Sequence, residues 1–272
     1  MIKRGKKKII SVILTAALVF TTVFGAGFAY AGSSVSGFTG TTYTHNSRFN
    51  DRILIHGVDV STYQNGIDWN DAKAAGVDFA IIRIGFRGYG EAGRPDDWFV
   101  RNIEAAKAAG VMVGVYFFSQ ALNTFEARAE ADYTLELLGD YELDLPIFMD
   151  YEFSPVSSGR FTSGTITKIQ ATANVRAFCE YIEANGHRAG LYANLNFLNK
   201  TVDGEALGRE YPIWVAQYYK TCNYDYDYDY WQYSSGGSVN GIGGRADVNF
   251  LYLPKESKRV SDKSLADCEA FL

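Results

Sequence analysis

The sequence predicts an α/β fold, an irregular eight-stranded β/α barrel with five βα units followed by three strands with few helices. Predicted helices repeatedly end at a glycine and are followed by a short apolar run, which is typical of parallel βα units with right-handed crossovers. The run at 79–85 is almost continuously apolar, the pattern of a strand buried on both faces. After Asn196 three predicted strands follow with short connections and little room for helices.

The five predicted βα units can be placed in order along the chain. The first strand lies at 56–61, and Asp68 begins a helix that ends at Gly76. Pro95 begins the second helix, which ends in the same Ala-Lys-Ala-Ala-Gly-Val sequence as the first. The other strands of these units are predicted at 79–85, 111–119, 145–149 and 189–194, and the other helices at 124–138 and 165–185. The last three strands are predicted at 211–218, 228–234 and 246–252.

The first 31 residues have the pattern of a secretory signal peptide. Basic residues at positions 3–8 precede a mostly apolar stretch at 9–24, and Ala29-Tyr30-Ala31 matches a signal-peptidase site. A retained membrane anchor is the alternative interpretation. We therefore expect a secreted protein, extracellular or associated with the cell wall, whose mature chain begins at Gly32.

The rest of the chain divides into three parts. Residues 32–52 are rich in Ser, Thr and Gly and predict a flexible leader. The barrel domain is expected at 53–254, where Pro254 stops the last strand, and a charged tail at 255–272.

Charge argues against two classes of partner. Without residues 1–31 the chain has 21 basic and 31 acidic residues, a net charge of −10. Such a chain gains no long-range attraction from nucleic acid or an anionic membrane. We expect no nucleic-acid partner, no stable membrane association after signal cleavage, and a monomer.

Two carboxylates end the predicted core strand Leu-Pro-Ile-Phe-Met-Asp-Tyr-Glu-Phe at 145–153. Asp150 and Glu152 are two residues apart, so they share a strand face at a spacing of roughly 6.6 Å along the chain. Neighbouring like charge should raise one pKa, and a raised acid beside an ionised partner is what glycosidic-bond cleavage requires. Two solvated acids at a strand end are the alternative, which this fragment alone would favour.

Seven ordered motifs make the chain resemble the muramidases of glycoside hydrolase family 25, whose fold is an irregular β/α barrel. The resemblance extends from His56 to Leu253. The motifs are GVDVSTYQNGIDW at 57–69, IIRIG at 81–85, PIFMDYE at 146–152, GLYAN at 190–194, IWVAQY at 213–218, WQYSSGGSVNGI at 231–242 and ADVN at 246–249. The resemblance implies a glycoside hydrolase, a 1,4-β-N-acetylmuramidase, that cleaves the bond between N-acetylmuramic acid and N-acetylglucosamine in bacterial peptidoglycan.

The resemblance also implies roles for four acids. Glu152 matches the proton donor, and Asp150 would stay ionised to stabilise positive charge at the anomeric centre or orient the acetamido group. Asp59 at the end of the first strand and Asp247, placed at the end of the last, match acidic positions of the family's site. First and last strands are neighbours in a closed barrel, so these two acids can converge. Acetamido participation and direct attack by water both remain open.

Two of these acids have alternative explanations from the sequence. Asp59 could cap the turn that follows through Ser61 and Thr62. Asp247 could be a structural ion-pair partner of Arg245 or Arg83.

A second set of side chains is expected to bind substrate. They share positions at predicted strand ends, where aromatic rings stack on sugars and polar groups bind acetamido groups, although each alone would more often be packing. The candidates are Tyr116, Tyr192, Trp214, Gln217, Trp231 and Arg83.

No metal or organic cofactor is implied. The Tyr-Asp repeat at 223–231 has Asp-x-Asp-x-Asp spacing, but Tyr230 and Gly236 stand where a calcium loop needs glycine and glutamate. We interpret the repeat as an extended hairpin arm. The three histidines lack zinc-ligand spacing, and neither a P-loop nor a dinucleotide-binding Gly motif occurs.

Two alternative functions stay open. A chitinase-like glycosidase would need aspartates at the positions of Leu145 and Phe148, which argues against it. The other alternative is a non-catalytic cell-wall glycan-binding module on the same fold, since fold does not guarantee activity.

Three cysteines in an exported chain allow one disulfide. Cys179 lies on the helix before the fifth strand and Cys222 just after the sixth, elements adjacent in a sequentially wound barrel. We therefore predict a Cys179–Cys222 disulfide, with Cys268 free or intermolecular. Three inert thiols are the alternative.

Overall fold

The computed structural model describes residues 32–88 and 93–255. The predicted signal peptide, Cys268 and nearly all of the predicted tail lie outside the described residues.

Eleven strands and six helices occur in the described residues. The strands are β1 (Ser33–Val35), β2 (Thr42–Thr44), β3 (Arg52–Val60), β4 (Phe79–Arg87), β5 (Gly93–Pro95), β6 (Met112–Ser119), β7 (Ile147–Tyr151), β8 (Ala189–Asn194), β9 (Ile213–Ala216), β10 (Tyr230–Gly237) and β11 (Ala246–Pro254). The helices are α1 (Trp69–Ala74), α2 (Phe99–Ala108), α3 (Thr124–Leu138), α4 (Lys168–Ala184), α5 (Leu195–Lys200) and α6 (Gly204–Glu210). None of these helices is long and apolar enough to cross a membrane.

Eight strands close into a barrel in the order β3-β4-β6-β7-β8-β9-β10-β11, with β11 paired back to β3. The first seven of them run parallel, whereas β11 is antiparallel to both of its neighbours. Five βα units therefore precede three strands that have no helices between them, which confirms the predicted fold class.

Local sequence explains most element boundaries. Asp68 caps α1 by accepting hydrogen bonds from the backbone N–H groups of Asn70 and Asp71. The repeated Ala-Lys-Ala-Ala-Gly-Val sequence ends α1 and α2 in the same way, with Gly76 and Gly110 at φ +102° and +71°. Pro95 does not begin the second helix as predicted, because it lies in β5, a short strand that pairs with β4.

The barrel interior is apolar at one end and polar at the other. Large side chains fill the apolar end, and strand glycines make room for them: a Cβ at Gly57 would lie 2.5 Å from the ring of Phe79, and one at Gly190 2.6 Å from Phe148. These two phenylalanines are fully buried. The polar end lies where the parallel strands finish, and it receives the acidic side chains.

The segment 32–50 is not the flexible leader that its composition predicts. It forms the small β1–β2 sheet and lies against the outer faces of β10 and β11, where no helix covers the barrel. Phe49 stacks on Tyr252 with ring centroids 3.7 Å apart, and Tyr43 packs 4.5 Å from Tyr233. His45 is buried against Phe250, and burial lowers its pKa to about 4. A few aromatic side chains among many small polar residues are enough to pack this segment against the barrel.

Phe49→Ala is expected to destabilise the protein by about 3 kcal/mol, because truncating a buried Phe leaves a cavity. This corresponds to a fall in Tm of roughly 6–12 °C. Phe125→Ala, at a position that is 81% exposed, is the matched control and should leave Tm nearly unchanged. Equal Tm values for the two variants by differential scanning calorimetry would show that the segment does not contribute to the fold.

The Tyr-Asp repeat anchors this segment rather than forming an extended arm. Residues 222–229 are irregular, and β10 begins only at Tyr230. The Arg48 guanidinium donates hydrogen bonds to the backbone carbonyls of Asp225 and Tyr226 at 2.8 and 2.6 Å. The backbone of the Tyr-Asp repeat therefore holds the 32–50 segment against the barrel.

The predicted Cys179–Cys222 disulfide is wrong, because both residues are buried free thiols. The Cys179 thiol on α4 faces the Gly190 carbonyl of β8 at 3.8 Å. Cys222 lies beyond β9, in hydrogen-bond contact with Tyr228. Neighbouring elements thus direct the two sulfurs to different surroundings.

Candidate active site

Four carboxylic acids meet at the polar end of the barrel. Asp59 is the next-to-last residue of β3, Asp150 lies in β7, and Glu152 follows β7 directly. Asp247 is the second residue of β11, not at its end as predicted, and it is paired in register with Asp59. Because β11 is antiparallel, its beginning lies at the end of the barrel where the parallel strands finish.

Two amides hold the Asp59 carboxylate. Its Oδ2 accepts hydrogen bonds from Gln232 Nε2 and from Asn249 Nδ2, both at 2.8 Å. The following turn is capped without Asp59: Ser61 Oγ accepts from the Tyr63 N–H, and Gln64 Oε1 accepts from the Ser61 N–H. The capping alternative for Asp59 is therefore wrong.

Aromatic donors fix the direction of both amides. Gln232 Oε1 accepts hydrogen bonds from the Tyr192 and Tyr218 hydroxyls, each at 2.9 Å. Asn249 Oδ1 accepts one from the Trp214 indole N–H at 2.8 Å. With their oxygens occupied in this way, the two amides must turn their N–H groups toward Asp59.

Gln232 and Asn249 were missed by the sequence analysis, although a signal was present. Strand periodicity puts Asn249 on the same face as Asp247, two residues earlier. Gln232 likewise shares the interior face with Tyr230, which packs inside the barrel.

Burial raises the pKa values of all four acids, and repulsion from neighbouring acids adds to the effect for Asp59, Asp150 and Glu152. Burial raises the pKa of Asp59 well above its ordinary range, and Asp247 adds to the effect. Burial raises the pKa of Asp150 likewise, with contributions from Glu152 and Asp59. The pKa of Glu152 rises to about 7 through burial and then Asp247, and that of Asp247 to about 6 through burial. The site therefore keeps at least one proton near neutral pH.

The source of like charge differs from the prediction. The pKa of Glu152 was expected to be raised by the Asp150 carboxylate. Burial and the Asp247 carboxylate raise it instead. The coupling of Asp150 to Glu152 acts on the pKa of Asp150 instead. Asp247 is therefore the acid whose removal should lower the pKa of Glu152 most.

One oxygen of Asp150 is buried without a partner. Its Oδ1 is inaccessible to solvent and accepts no hydrogen bond from the described residues. Buried acceptors are normally satisfied. Asp150 therefore has acceptor capacity that no described side chain uses.

Arg83 contributes positive charge but does not pair with Asp247. Its Nε lies 2.7 Å from Asp96 Oδ2, an ion pair in which the Asp96 side chain is fully buried. The guanidinium acts to lower the pKa of Asp150 and of Tyr116. Arg245, the other suggested partner of Asp247, is exposed, and no ion pair of Asp247 occurs within the described ranges.

The structure separates the predicted substrate-binding side chains. Tyr116 and Tyr192 lie among the acids, which act to raise the pKa of both hydroxyls in addition to burial. Trp214 is 1% exposed and supports Asn249 from within the barrel, so its ring is closed to a sugar.

Trp231 does not face the mouth, and the Gln217 side chain, although it follows the end of β9 as predicted, is occupied by a loop contact. Trp231 lies on the outer face of β10, packed against Tyr43 and Phe250, and donates to the Gln217 carbonyl. The Gln217 side chain accepts a hydrogen bond from the Asn223 N–H at 2.7 Å and so fixes a loop. Strand alternation explains the outcome for Trp231, since its neighbours Tyr230 and Gln232 take the interior face.

Tyrosines that the sequence analysis did not select stand at the rim. Tyr63, on the turn after β3, is 80% exposed, and the Arg83 guanidinium lies 5.2 Å from its ring centre. Tyr218, after β9, is 54% exposed while its hydroxyl reaches Gln232. Both loops follow strands whose residues build the site.

Within the described part of the chain, no group of His, Cys, Asp and Glu side chains has an arrangement that could hold a metal ion. The four acids are arranged instead around amide and aromatic partners.

The chain is similar to several known proteins. The family model of the glycosyl hydrolases family 25 matches residues 58–242. The chain is 30% identical over 198 residues to an autolytic lysozyme of Clostridium acetobutylicum, covering 71% of this chain and 54% of that protein. It is 29% identical to lysozyme M1 of Streptomyces globisporus, covering 72% of this chain and 67% of that protein.

Among solved structures, a bacterial lysozyme from Streptomyces coelicolor superimposes with a TM-score of 0.61 at 28% identity. The match covers 72% of this chain and 90% of that lysozyme. Against the clostridial relative, by contrast, the chain spans only about half of the length.

Proposed function

The chain belongs to the glycosyl hydrolases family 25, and from this premise we propose that it is a secreted muramidase. Its reaction is hydrolysis of the β-1,4 bond between N-acetylmuramic acid and N-acetylglucosamine in bacterial peptidoglycan. Support comes from the lysozymes that it resembles and from the acidic mouth of the barrel.

The observation that supports this proposal most is the raised pKa of Glu152, about 7. A carboxyl group that is still protonated near neutral pH can donate its proton to the glycosidic oxygen as the sugar leaves. The buried environment keeps the proton on Glu152 until the bond breaks, and the leaving oxygen then carries it away.

The neighbouring acids can stabilise the positive charge that develops at the anomeric carbon. Asp150 has a buried oxygen with no partner among the described residues, and against burial, which raises its pKa, Arg83 favours its ionised form. The two amides that donate to Asp59 likewise favour its ionised form. Water completes the reaction, either directly or after participation of the substrate's acetamido group.

Tyr116 and Tyr192 are proposed to contact the sugar that is bound next to the acids. Tyr63 and Tyr218 at the rim offer exposed rings on which neighbouring sugars of a glycan chain can stack. This arrangement suits a polymer better than a small ligand.

Export is proposed from the first 31 residues, whose basic, apolar and Ala-Tyr-Ala segments match a signal peptide. An extracellular or wall-associated location brings the protein to peptidoglycan. N-terminal sequencing of the protein recovered outside the cell should begin at Gly32.

Digestion of purified cell walls tests the proposed reaction. Turbidity should fall, and borohydride reduction of the products should convert N-acetylmuramic acid at the new reducing ends. New N-acetylglucosamine reducing ends would indicate a different bond. Walls that bind the protein without releasing fragments would indicate a glycan-binding module.

A further inference from the structure

The backbone beneath Glu152 is fastened by one buried side chain. Strands β6 and β7 are paired as far as Ser119 and Tyr151, and both end there. Gln120 and Glu152 are the next residues of the two strands. Gln120 is 2% exposed, and its Nε2 donates hydrogen bonds to the Glu152 carbonyl at 3.2 Å and to the Ser119 carbonyl at 2.9 Å.

The other end of the same amide holds the loop that follows Glu152. Gln120 Oε1 accepts a hydrogen bond from the Phe161 N–H at 3.3 Å. Phe161 is fully buried and stacks on Tyr151 with ring centroids 4.6 Å apart, and its carbonyl accepts from the Ser154 N–H at 2.7 Å. The amide cannot be reversed, because its oxygen would then face two carbonyls.

This support matters because the Glu152 carboxyl has none of its own. The carboxyl makes no hydrogen bond with the described residues, whereas the Glu152 backbone carbonyl accepts one from Gln120. The position of the acid therefore depends on its backbone. A misplacement of about 1 Å in a reacting group can lower the rate by about 10²-fold.

We propose that Gln120 is a positioning residue for Glu152, which holds the general acid in place by fastening the ends of β6 and β7 and the loop at Phe161 to one another. The inference rests on the proposed function of Glu152 as the acid. It makes Gln120 part of the catalytic apparatus without any contact to substrate.

Gln120→Met tests this role, because Met has nearly the same shape but donates and accepts no amide hydrogen bond. Turnover of cell walls is expected to fall by about 10–100-fold in kcat, with KM little changed. The freed backbone should admit water to the Glu152 carboxyl, so its pKa should fall from about 7 toward its ordinary 4.5. The alkaline limb of the pH–rate profile should then move to lower pH.

Asn102→Leu is the matched control. Asn102 is also a buried amide, 2% exposed, but it lies on α2, where its Oδ1 accepts a hydrogen bond from the Trp69 indole N–H at 3.4 Å. It should lower Tm about as much as Gln120→Met, yet leave kcat and the alkaline limb unchanged.

A titration without substrate separates this inference from the proposed function. The pKa of Glu152 can be followed by ¹³C NMR of its carboxyl carbon, assigned by comparison with Glu152→Gln. Assignment is needed because Glu130, whose carboxylate accepts from the Gln120 N–H and pairs with Arg87, also has a pKa of about 7. An inactive wild-type protein would reject the muramidase, whereas the titration would still test Gln120.

If Gln120→Met does not fold, Gln120→Asn gives the same test, since it keeps an amide that is too short to reach both strand ends. A lower Glu152 pKa in either variant, with the Glu152 pKa unchanged in Asn102→Leu, supports the role. An unchanged Glu152 pKa together with an unchanged kcat would overturn it.

Discussion

Glu152→Gln is expected to lower the rate of peptidoglycan hydrolysis by about 10²–10⁴-fold, because the amide has no proton to give to the leaving oxygen. Binding of cell walls should persist, since the change is nearly isosteric and Glu152 carries a proton near neutral pH in the wild type. Turbidity clearing measures the rate, and sedimentation with insoluble walls measures binding. Activity within a few-fold of wild type would show that the acid is misassigned.

The stability of this variant provides a control for folding. The pKa of Glu152 is raised from 4.5 to about 7 in the folded protein. A raised folded-state pKa means that this group's contribution to stability is present below pH 4.5 and lost as the pH rises through 7. Glu152→Gln removes that loss, so its Tm at pH 8 should equal or exceed the wild-type value. Glu136→Gln, the same change at an exposed position of α3, should alter neither activity nor Tm.

Asp150→Asn should lower kcat by about 10²–10³-fold, because it removes a buried negative charge from the site where positive charge develops. It should leave the alkaline limb of the residual activity close to its wild-type position, because burial and Asp247 raise the pKa of Glu152. Asp140→Asn, at an exposed position, is the control for loss of one carboxylate. An alkaline limb that moves clearly to lower pH would show that Asp150 also raises the pKa of Glu152.

A parallel Asp247→Asn variant sharpens this test. Asp247 is the neighbouring charge that raises the pKa of Glu152 after burial. Its removal should shift the alkaline limb at least as far as Asp150→Asn does. A larger shift in Asp150→Asn would mean that the closer charge to Glu152 is on β7.

Local patterns in the sequence predicted the eight barrel strands and the helices α1–α4 in order, and three acids at or near strand ends. Period-two alternation put Asp150 and Glu152 on one face, and Asp59 close to the end of β3, because side-chain direction within a strand is a local property. Capping and glycine signals likewise set the ends of α1 and α2 through contacts between near neighbours.

The directions of β9, β10 and β11, and the faces on which their side chains lie, depend on the tertiary structure. Asp247 lies at the mouth because β11 runs antiparallel. Trp231 lies on the outer face of β10, whereas Gln232 on the inner face donates a hydrogen bond to Asp59. Two further contacts join residues far apart in sequence. Gln120 bonds to Phe161, and the 32–50 segment packs against β10 and β11. Barrel closure sets all of these contacts through long-range pairing, and no local pattern of residues encodes it.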